Sequence, residues 1–141
     1  MYILDTDHLS LIRRNGIEGQ RILVRLSSIA NNDVATTIVT YEEQVRGRFA
    51  VLGRAKTLVE VVLAYDGLRQ LTLDYQSISI LAFDAEAALV HQQLRKRYPR
   101  LGNMDLKIAA IALTQQATLL TRNLSDFGQI VELSINNLAD P

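Results

Sequence analysis

Short apolar runs alternate along the chain with longer stretches of helical periodicity. The short runs are candidates for buried strands, because they are brief and rich in aliphatic and β-branched side chains. They predict strands at residues 2–4, 34–39, 79–81 and 118–121, and a fifth strand at residues 130–133.

The longer stretches repeat apolar residues at the spacing of a helix. They predict helices at residues 8–14, 18–29, 41–52, 55–71, 84–98 and 104–116, with caps at Asp84 and Asn103. Strands that alternate with helices predict an α/β fold with a mainly parallel sheet. No internal repeat or Gly/Ser-rich linker divides the chain, so we expect residues 1–141 to form a single domain.

Composition narrows the chemistry that the chain can perform. Of its 141 residues, 48% are hydrophobic and 21% are charged, which is typical of a globular protein. The absence of cysteine excludes a disulfide framework, a cysteine-ligated metal site and a thiol nucleophile. No apolar run reaches membrane-spanning length and no secretory signal opens the chain, so we expect a cytoplasmic protein that does not bind membranes.

Acidic residues follow the predicted strands. Asp5 comes directly after the first strand, Glu43 shortly after the second and Asp126 after the fourth, while Asp105 lies in the first turn of a helix. The carboxyl ends of parallel strands form the ligand crevice of such a sheet. Carboxylates gathered there repel each other, and a hard cation such as Mg²⁺ or Mn²⁺ relieves the repulsion. The pattern therefore indicates metal-assisted hydrolysis of a phosphodiester.

Each acid also has a simpler interpretation when taken alone. Asp5 or Asp7 is a suitable helix N-cap, and Glu43 is an ordinary solvated helix residue. Asp105 suits the positive end of a helix dipole, and Asn123 and Asp126 are common turn residues. The shared placement of these residues is what favours a site.

Four segments resemble the motifs of PIN-domain ribonucleases, most closely those of VapC toxins. In chain order the segments are YILDTDHLS at 2–10, TYEEQVRG at 40–47, GNMDLKIAA at 102–110 and LLTRNLSDF at 119–127. The resemblance implies a PIN-like three-layer fold, a central sheet between helices. It also implies a Mg²⁺- or Mn²⁺-dependent endoribonuclease that forms a homodimer and is neutralised by a small antitoxin.

The resemblance also assigns residues to the site. It makes Asp5, Glu43 and Asp105 the metal ligands, and it selects Glu43 over Glu42 by the spacing to Gly47. The family often has an acid where Asn123 stands here, which leaves Asp126 either to supply the fourth acid or to contact a metal ligand from behind. A metal-activated water would then cleave RNA to leave a 5′-phosphate and a 3′-hydroxyl. Thr6 would donate its hydroxyl to Asp5 or to the scissile phosphate, or else simply start a helix.

Basic residues near the motifs are candidates for RNA binding. They are Arg46, Arg95, Lys96, Arg97, Arg100 and Arg122. The group from Arg95 to Arg100 would track an RNA backbone, or would only solvate the end of a helix. We expect His8 and His91 to be structural or surface residues. The excess of apolar residues in the third and fourth helices indicates either a partner-binding face or a buried helical hairpin.

Two rival functions fit parts of the sequence. The segment Asp5-Thr6-Asp7 also fits the start of a haloacid-dehalogenase-like phosphatase, in which Asp5 would be the nucleophile. Leu9 and the lack of a later Gly-Asp-x-x-x-Asp motif fit that family poorly. The other rival is a non-catalytic module that binds RNA or a protein, which Asn123 would permit.

Overall fold

A computed structural model describes residues 1–141 and contains a five-stranded sheet. The strands are β1 (Tyr2–Leu4), β2 (Val34–Thr37), β3 (Ser79–Leu81), β4 (Thr118–Leu120) and β5 (Ser134–Asn136). They lie in the order β3-β2-β1-β4-β5, and every neighbouring pair is parallel. The predicted α/β fold with a parallel sheet is confirmed.

Helices cover both faces of this sheet. They are α1 (Thr6–Arg14), α2 (Ile17–Leu26), α3 (Ile38–Arg54), α4 (Leu58–Asp74), α5 (Ala85–Arg97), α6 (Asn103–Thr114) and α7 (Leu124–Phe127). A short 3₁₀ turn, Asn31–Asp33, precedes β2. None of these helices is both long enough and apolar enough to cross a bilayer.

The central strands contribute to two separate hydrophobic cores. Ile3 and Leu119 pack in a cluster with residues of α5 and α6, whereas their neighbours Leu4 and Leu120 pack in a second cluster with residues of α1 and α2. Successive side chains of a strand point to opposite faces of a sheet, so one strand supplies both cores. This arrangement confirms the three-layer architecture.

Most differences from the predicted elements lie at helix ends, where capping decides the boundary. The predicted strand at residues 34–39 ends at Thr37, because the Thr37 hydroxyl accepts the Thr40 N–H and caps α3. Thr57 caps α4 in the same way, so α4 begins at Leu58, three residues beyond the predicted start. Asn103 is not a cap but the first residue of α6. Helix α1 begins at Thr6, and α2 ends at Leu26.

The predicted fifth strand at residues 130–133 is wrong. Ile130 and Leu133 are buried in the larger core, but they lie in turns in which Ile130 N–H donates to Phe127 and Leu133 N–H donates to Ile130. The true edge strand is β5, where exposed Ser134 and Asn136 flank Ile135. Burial of apolar side chains in successive turns imitates a strand in the sequence.

Helices α1 and α2 approach each other closely at Gly19. A Cβ atom there would lie 2.2 Å from the carbonyl oxygen of Leu11, which is backbone and has little freedom to move. We predict that Gly19→Ala lowers the free energy of unfolding by about 1–3 kcal/mol, as overpacking does. Urea denaturation measures this change.

The matched control is Gly47→Ala in α3, where an added Cβ meets no atom within 4 Å. Alanine should stabilise that helix by about 0.5–1 kcal/mol. Equal effects of the two substitutions on stability would contradict the close approach of α1 and α2.

Candidate active site

Asp5 is held at the end of β1 by its backbone and its side chain. Its N–H donates to the carbonyl of Leu120 at 3.1 Å, which ties it to β4. Its Oδ1 accepts the N–H of His8 at 2.8 Å and so caps α1. Only 6% of Asp5 is exposed. The capping interpretation and the site interpretation are therefore compatible, because one oxygen caps the helix and no hydrogen bond falls on the other.

Glu43 lies in the second turn of α3, the helix that follows β2. The hydroxyl of Thr6 donates to its Oε1 at 2.7 Å and lies 3.3 Å from the Thr40 hydroxyl. Of the alternatives for Thr6, the structure shows the helix start, since Thr6 is the first residue of α1 and its hydroxyl points to α3 and not to Asp5. Thr6 thus connects the end of β1 to Glu43. The adjacent Glu42 forms instead an ion pair with Arg46 at 2.6 Å.

Asp105 is the carboxylate whose pKa is raised by burial and by the other three acids. It lies in the first turn of α6. Burial raises its pKa above the ordinary value, and the negative charges of Glu43, Asp126 and Asp5 raise it further, in that order. These charges act at short range only, because salt and water screen distant ones. All four predicted carboxylates therefore converge on one region of the molecule.

Asn123 holds Asp126 from two sides. Its Oδ1 accepts the N–H of Asp126 at 3.3 Å and caps α7, and its Nδ2 donates to Asp126 Oδ2 at 3.1 Å. The N–H of Asn123 in turn donates to the hydroxyl of Thr121 at 2.9 Å. The neutral side chain at position 123 therefore orients the acid that follows it.

The oxygens of these four residues fit a hard divalent cation. Carboxylate oxygen is the ligand type that Mg²⁺ and Mn²⁺ prefer. The side chains do not yet form a closed coordination sphere, because no three His, Asp or Glu groups stand at metal-binding distances from a common point.

The predicted RNA-binding cations fall into two groups. The paired group consists of Arg46 with Glu42, Arg97 with Glu132, and Arg122 with Asp7. Arg122 makes a bidentate contact, with its Nε and Nη2 at 2.6 and 3.0 Å from the Asp7 oxygens. The other group, Arg95, Lys96 and Arg100, is exposed and makes no ion pair.

Sequence reasoning missed the contacts of the two histidines. His91 Nε2 lies 2.8 Å from Asn103 Oδ1, and its ring meets Phe83 edge to face. His8 is fully buried, and its Nε2 accepts the N–H of Leu138 at 3.2 Å. The only feature of the sequence that could have indicated a contact of His8 with the site was its position three residues after Asp5, within the first motif.

Known proteins match the chain over nearly its whole length. Residues 2–132 match the PIN domain family. Ribonuclease VapC1 of Haemophilus influenzae strain R2866 is 26% identical over 138 residues, which is 94% of each chain.

Solved structures share the fold. The VapBC-1 structure from nontypeable Haemophilus influenzae gives a TM-score of 0.78 at 24% identity, covering 99% of this chain and 98% of that one. The DNA-bound VapBC structure from Salmonella typhimurium gives a TM-score of 0.77 at 21% identity, covering 97% of both chains.

The raised pKa of Asp105 predicts a pH-dependent effect of Asp105→Asn. A carboxyl with a higher pKa in the folded state binds protons on folding, so its ionisation opposes folding above that pKa and has no effect well below the unfolded value. Without divalent cations, the variant should therefore be more stable than the wild type at neutral pH. The difference should shrink as pH falls toward 3.8, the ordinary value for aspartate. Urea unfolding in EDTA measures it.

The control for this prediction is Asp66→Asn, which removes an exposed carboxylate from α4. It should leave stability nearly unchanged at both ends of the pH range. If Asp105→Asn behaves like Asp66→Asn, the carboxylates do not act on each other as described.

Proposed function

Because this chain belongs to the PIN-domain family, we propose that it is a metal-dependent endoribonuclease and the toxin of a toxin–antitoxin pair. The family model spans residues 2–132, and PIN-domain ribonucleases generally depend on divalent metals. The observation that carries the proposal is the grouping of Asp5, Glu43 and Asp126 near Asp105, whose pKa is raised by burial and then further by those three charges. The ribonuclease name of the Haemophilus relative agrees with it.

Asp5, Glu43 and Asp105 would hold one Mg²⁺ or Mn²⁺, and Asp126 would join them directly or through water. The bound cation would polarise an RNA phosphate, activate a water and offset charge on the leaving O3′. Hydrolysis in this sense leaves a 5′-phosphate and a 3′-hydroxyl. The chain therefore needs no nucleophilic side chain of its own.

The neighbouring polar residues keep the carboxylates in place before any cation binds. Thr6 donates to Glu43, and Asn123 donates to Asp126. Asp105 is half-buried among like charges, so it gains most when positive charge arrives. Relief of the repulsion at Asp105 favours the cation-bound state.

RNA would approach over the exposed cations at the end of α5. Arg95, Lys96 and Arg100 are free to contact phosphates, whereas Arg46, Arg97 and Arg122 would first have to leave their carboxylate partners. If RNA is the substrate, the active protein would work in the cytoplasm.

An antitoxin would cover the apolar surface beside this site. A groove of about 780 Å³ runs between α1, α2 and α4, and Leu9, Ile12, Leu23 and Ile78 line it. Arg13 and Asp74 form an ion pair in the same groove. An extended or helical antitoxin segment with apolar side chains fits such a surface.

The outer face of α4 is available to a protein partner. Leu58 and Val59 are 87% and 69% exposed, and Val62 and Leu63 are also exposed. The alternative of an ordinary buried hairpin is therefore wrong. Burial of this face by the antitoxin or by a second copy of the chain would explain why these apolar side chains lie on the surface. We propose that the toxin itself forms a homodimer.

The phosphatase alternative finds no support in the site. Leu9 and the lack of a later Gly-Asp-x-x-x-Asp motif fit the phosphatase family poorly. The PIN family match over residues 2–132 also excludes it. A measurement of RNA cleavage distinguishes the proposed nuclease from a non-catalytic binding module.

Glu42 and Glu43 provide a matched pair of substitutions to test this function. Glu43→Gln should lower the rate of RNA cleavage at least about 100-fold, because loss of a direct ligand should cost no less than loss of a residue that supports one. Glu42→Gln removes an equal charge from the adjacent position and should stay close to wild type. Cleavage of a labelled single-stranded RNA, with Mn²⁺ and with EDTA, measures both.

Expression of the wild-type chain in a bacterial host should also arrest growth, and expression of Glu43→Gln should not. EDTA-resistant cleavage, or equal activity of the two variants, would exclude the proposed metal site. A folded wild-type protein with no cleavage of any RNA would favour the binding module.

A further inference from the structure

His8 is buried beside the proposed site, and its two ring nitrogens face different parts of the chain. Its Nε2 accepts the N–H of Leu138 at 3.2 Å, from a residue 130 positions away. Its Nδ1 points toward Asp5 Oδ1 at 3.6 Å and is the one buried polar side-chain atom without a hydrogen-bond partner. An unsatisfied buried polar atom is uncommon and calls for a physical explanation.

The contact with Leu138 determines where the ring proton lies. A nitrogen that accepts an N–H bond cannot carry a proton itself, so the ring of His8 carries its proton on Nδ1. That N–H is directed at the carboxylate of Asp5. A distance of 3.6 Å is too long for a hydrogen bond, and a shift of a few tenths of an ångström would close it.

The backbone and the ring of His8 approach the same oxygen of Asp5. The backbone N–H of His8 donates to Oδ1 at 2.8 Å, and Nδ1–H faces that oxygen as well. No hydrogen bond falls on Oδ2 of Asp5. This arrangement fixes the rotation of the carboxylate and leaves Oδ2 for a cation.

The C-terminal segment, residues 137–140, holds the ring in this orientation. Leu138 and Ala139 are buried, and their carbonyls accept hydrogen bonds from Arg25 at 3.0 Å and Arg21 at 2.6 Å. Helix α2 therefore fastens the segment, and the segment presents the Leu138 N–H to His8. A continuous series of contacts connects Arg25 to the carboxylate of Asp5.

We propose that His8 is a positioning residue that orients Asp5 for the divalent cation, and that the C-terminal segment holds the His8 ring in the orientation described. The proposal rests on the proposed function, since it assumes that Asp5 is a metal ligand. Residues that orient a ligand from behind commonly contribute to metal affinity. No step of RNA hydrolysis is assigned to His8.

Two substitutions of His8 distinguish the roles of its two ring nitrogens. Asparagine places an amide near the position of Nδ1, so His8→Asn keeps a donor toward Asp5 and loses the acceptor for Leu138. Glutamine reaches the position of Nε2, so His8→Gln keeps the acceptor for Leu138 and loses the donor. The measurements are the dissociation constant for Mn²⁺, by paramagnetic resonance of the free ion, and hydrogen exchange of the Leu138 amide.

We expect His8→Gln to weaken Mn²⁺ binding about tenfold while the Leu138 amide stays protected. His8→Asn should bind Mn²⁺ more tightly than His8→Gln and expose the Leu138 amide to exchange. Mn²⁺ binding by His8→Gln that equals the wild type would overturn the proposal, and so would an equal loss in both variants. A wild-type chain that does not bind Mn²⁺ would instead refute the proposed function.

Arg25→Met tests the same series of contacts without altering the buried ring, in case a His8 variant does not fold. It removes the bond to the Leu138 carbonyl from outside the site. It should increase the rate of hydrogen exchange at the Leu138 amide and lower the Mn²⁺ affinity by less than His8→Gln does. A loosened amide with unchanged Mn²⁺ affinity would show that the segment does not act on Asp5.

Discussion

Repulsion among four carboxylates at one edge of a parallel sheet is the constraint on which this structure depends. Parallel strands end at the same edge, so the residues that follow β1, β2 and β4 are brought together whatever their charge. Here the residues that meet are acids, and Asp105 on α6 faces them. Burial raises the pKa of Asp105, the three neighbouring charges raise it further, and a cation of the kind we propose would relieve that repulsion.

The rest of the fold keeps those acids in place and leaves other surfaces free. Buried apolar residues on both sides of β1 and β4 make the central strands rigid. Polar contacts from Thr6, Asn123 and His8 then orient individual carboxylates. The groove between α1, α2 and α4 borders the smaller core, since Leu4 of that core lines it, whereas the exposed face of α4 takes no part in either core. The outer face of α4 is therefore an apolar surface that a partner could cover without disturbing either core.

Local patterns in the sequence predicted most of the fold. The central strands are short apolar runs, and six of the helices carry clear periodicity, so their order and the parallel sheet followed directly. The fifth strand was misplaced, because Ile130 and Leu133 are buried from turns whereas β5 has polar side chains at an exposed edge. Helix starts shifted wherever a threonine cap decided them, as at Thr37.

The meeting of the four acids was also predictable, because it follows from strand order. Their supporting contacts were not, since they join residues far apart in the chain. Thr6 donates to Glu43 across 37 positions, and His8 bonds Leu138 across 130. The most direct test of the account is a crystal structure grown with Mn²⁺ and examined for anomalous scattering. The account predicts one peak at about 2.0–2.3 Å from oxygens of Asp5, Glu43 and Asp105; no peak at this edge with saturating Mn²⁺, or a peak touching a single carboxylate, would contradict it.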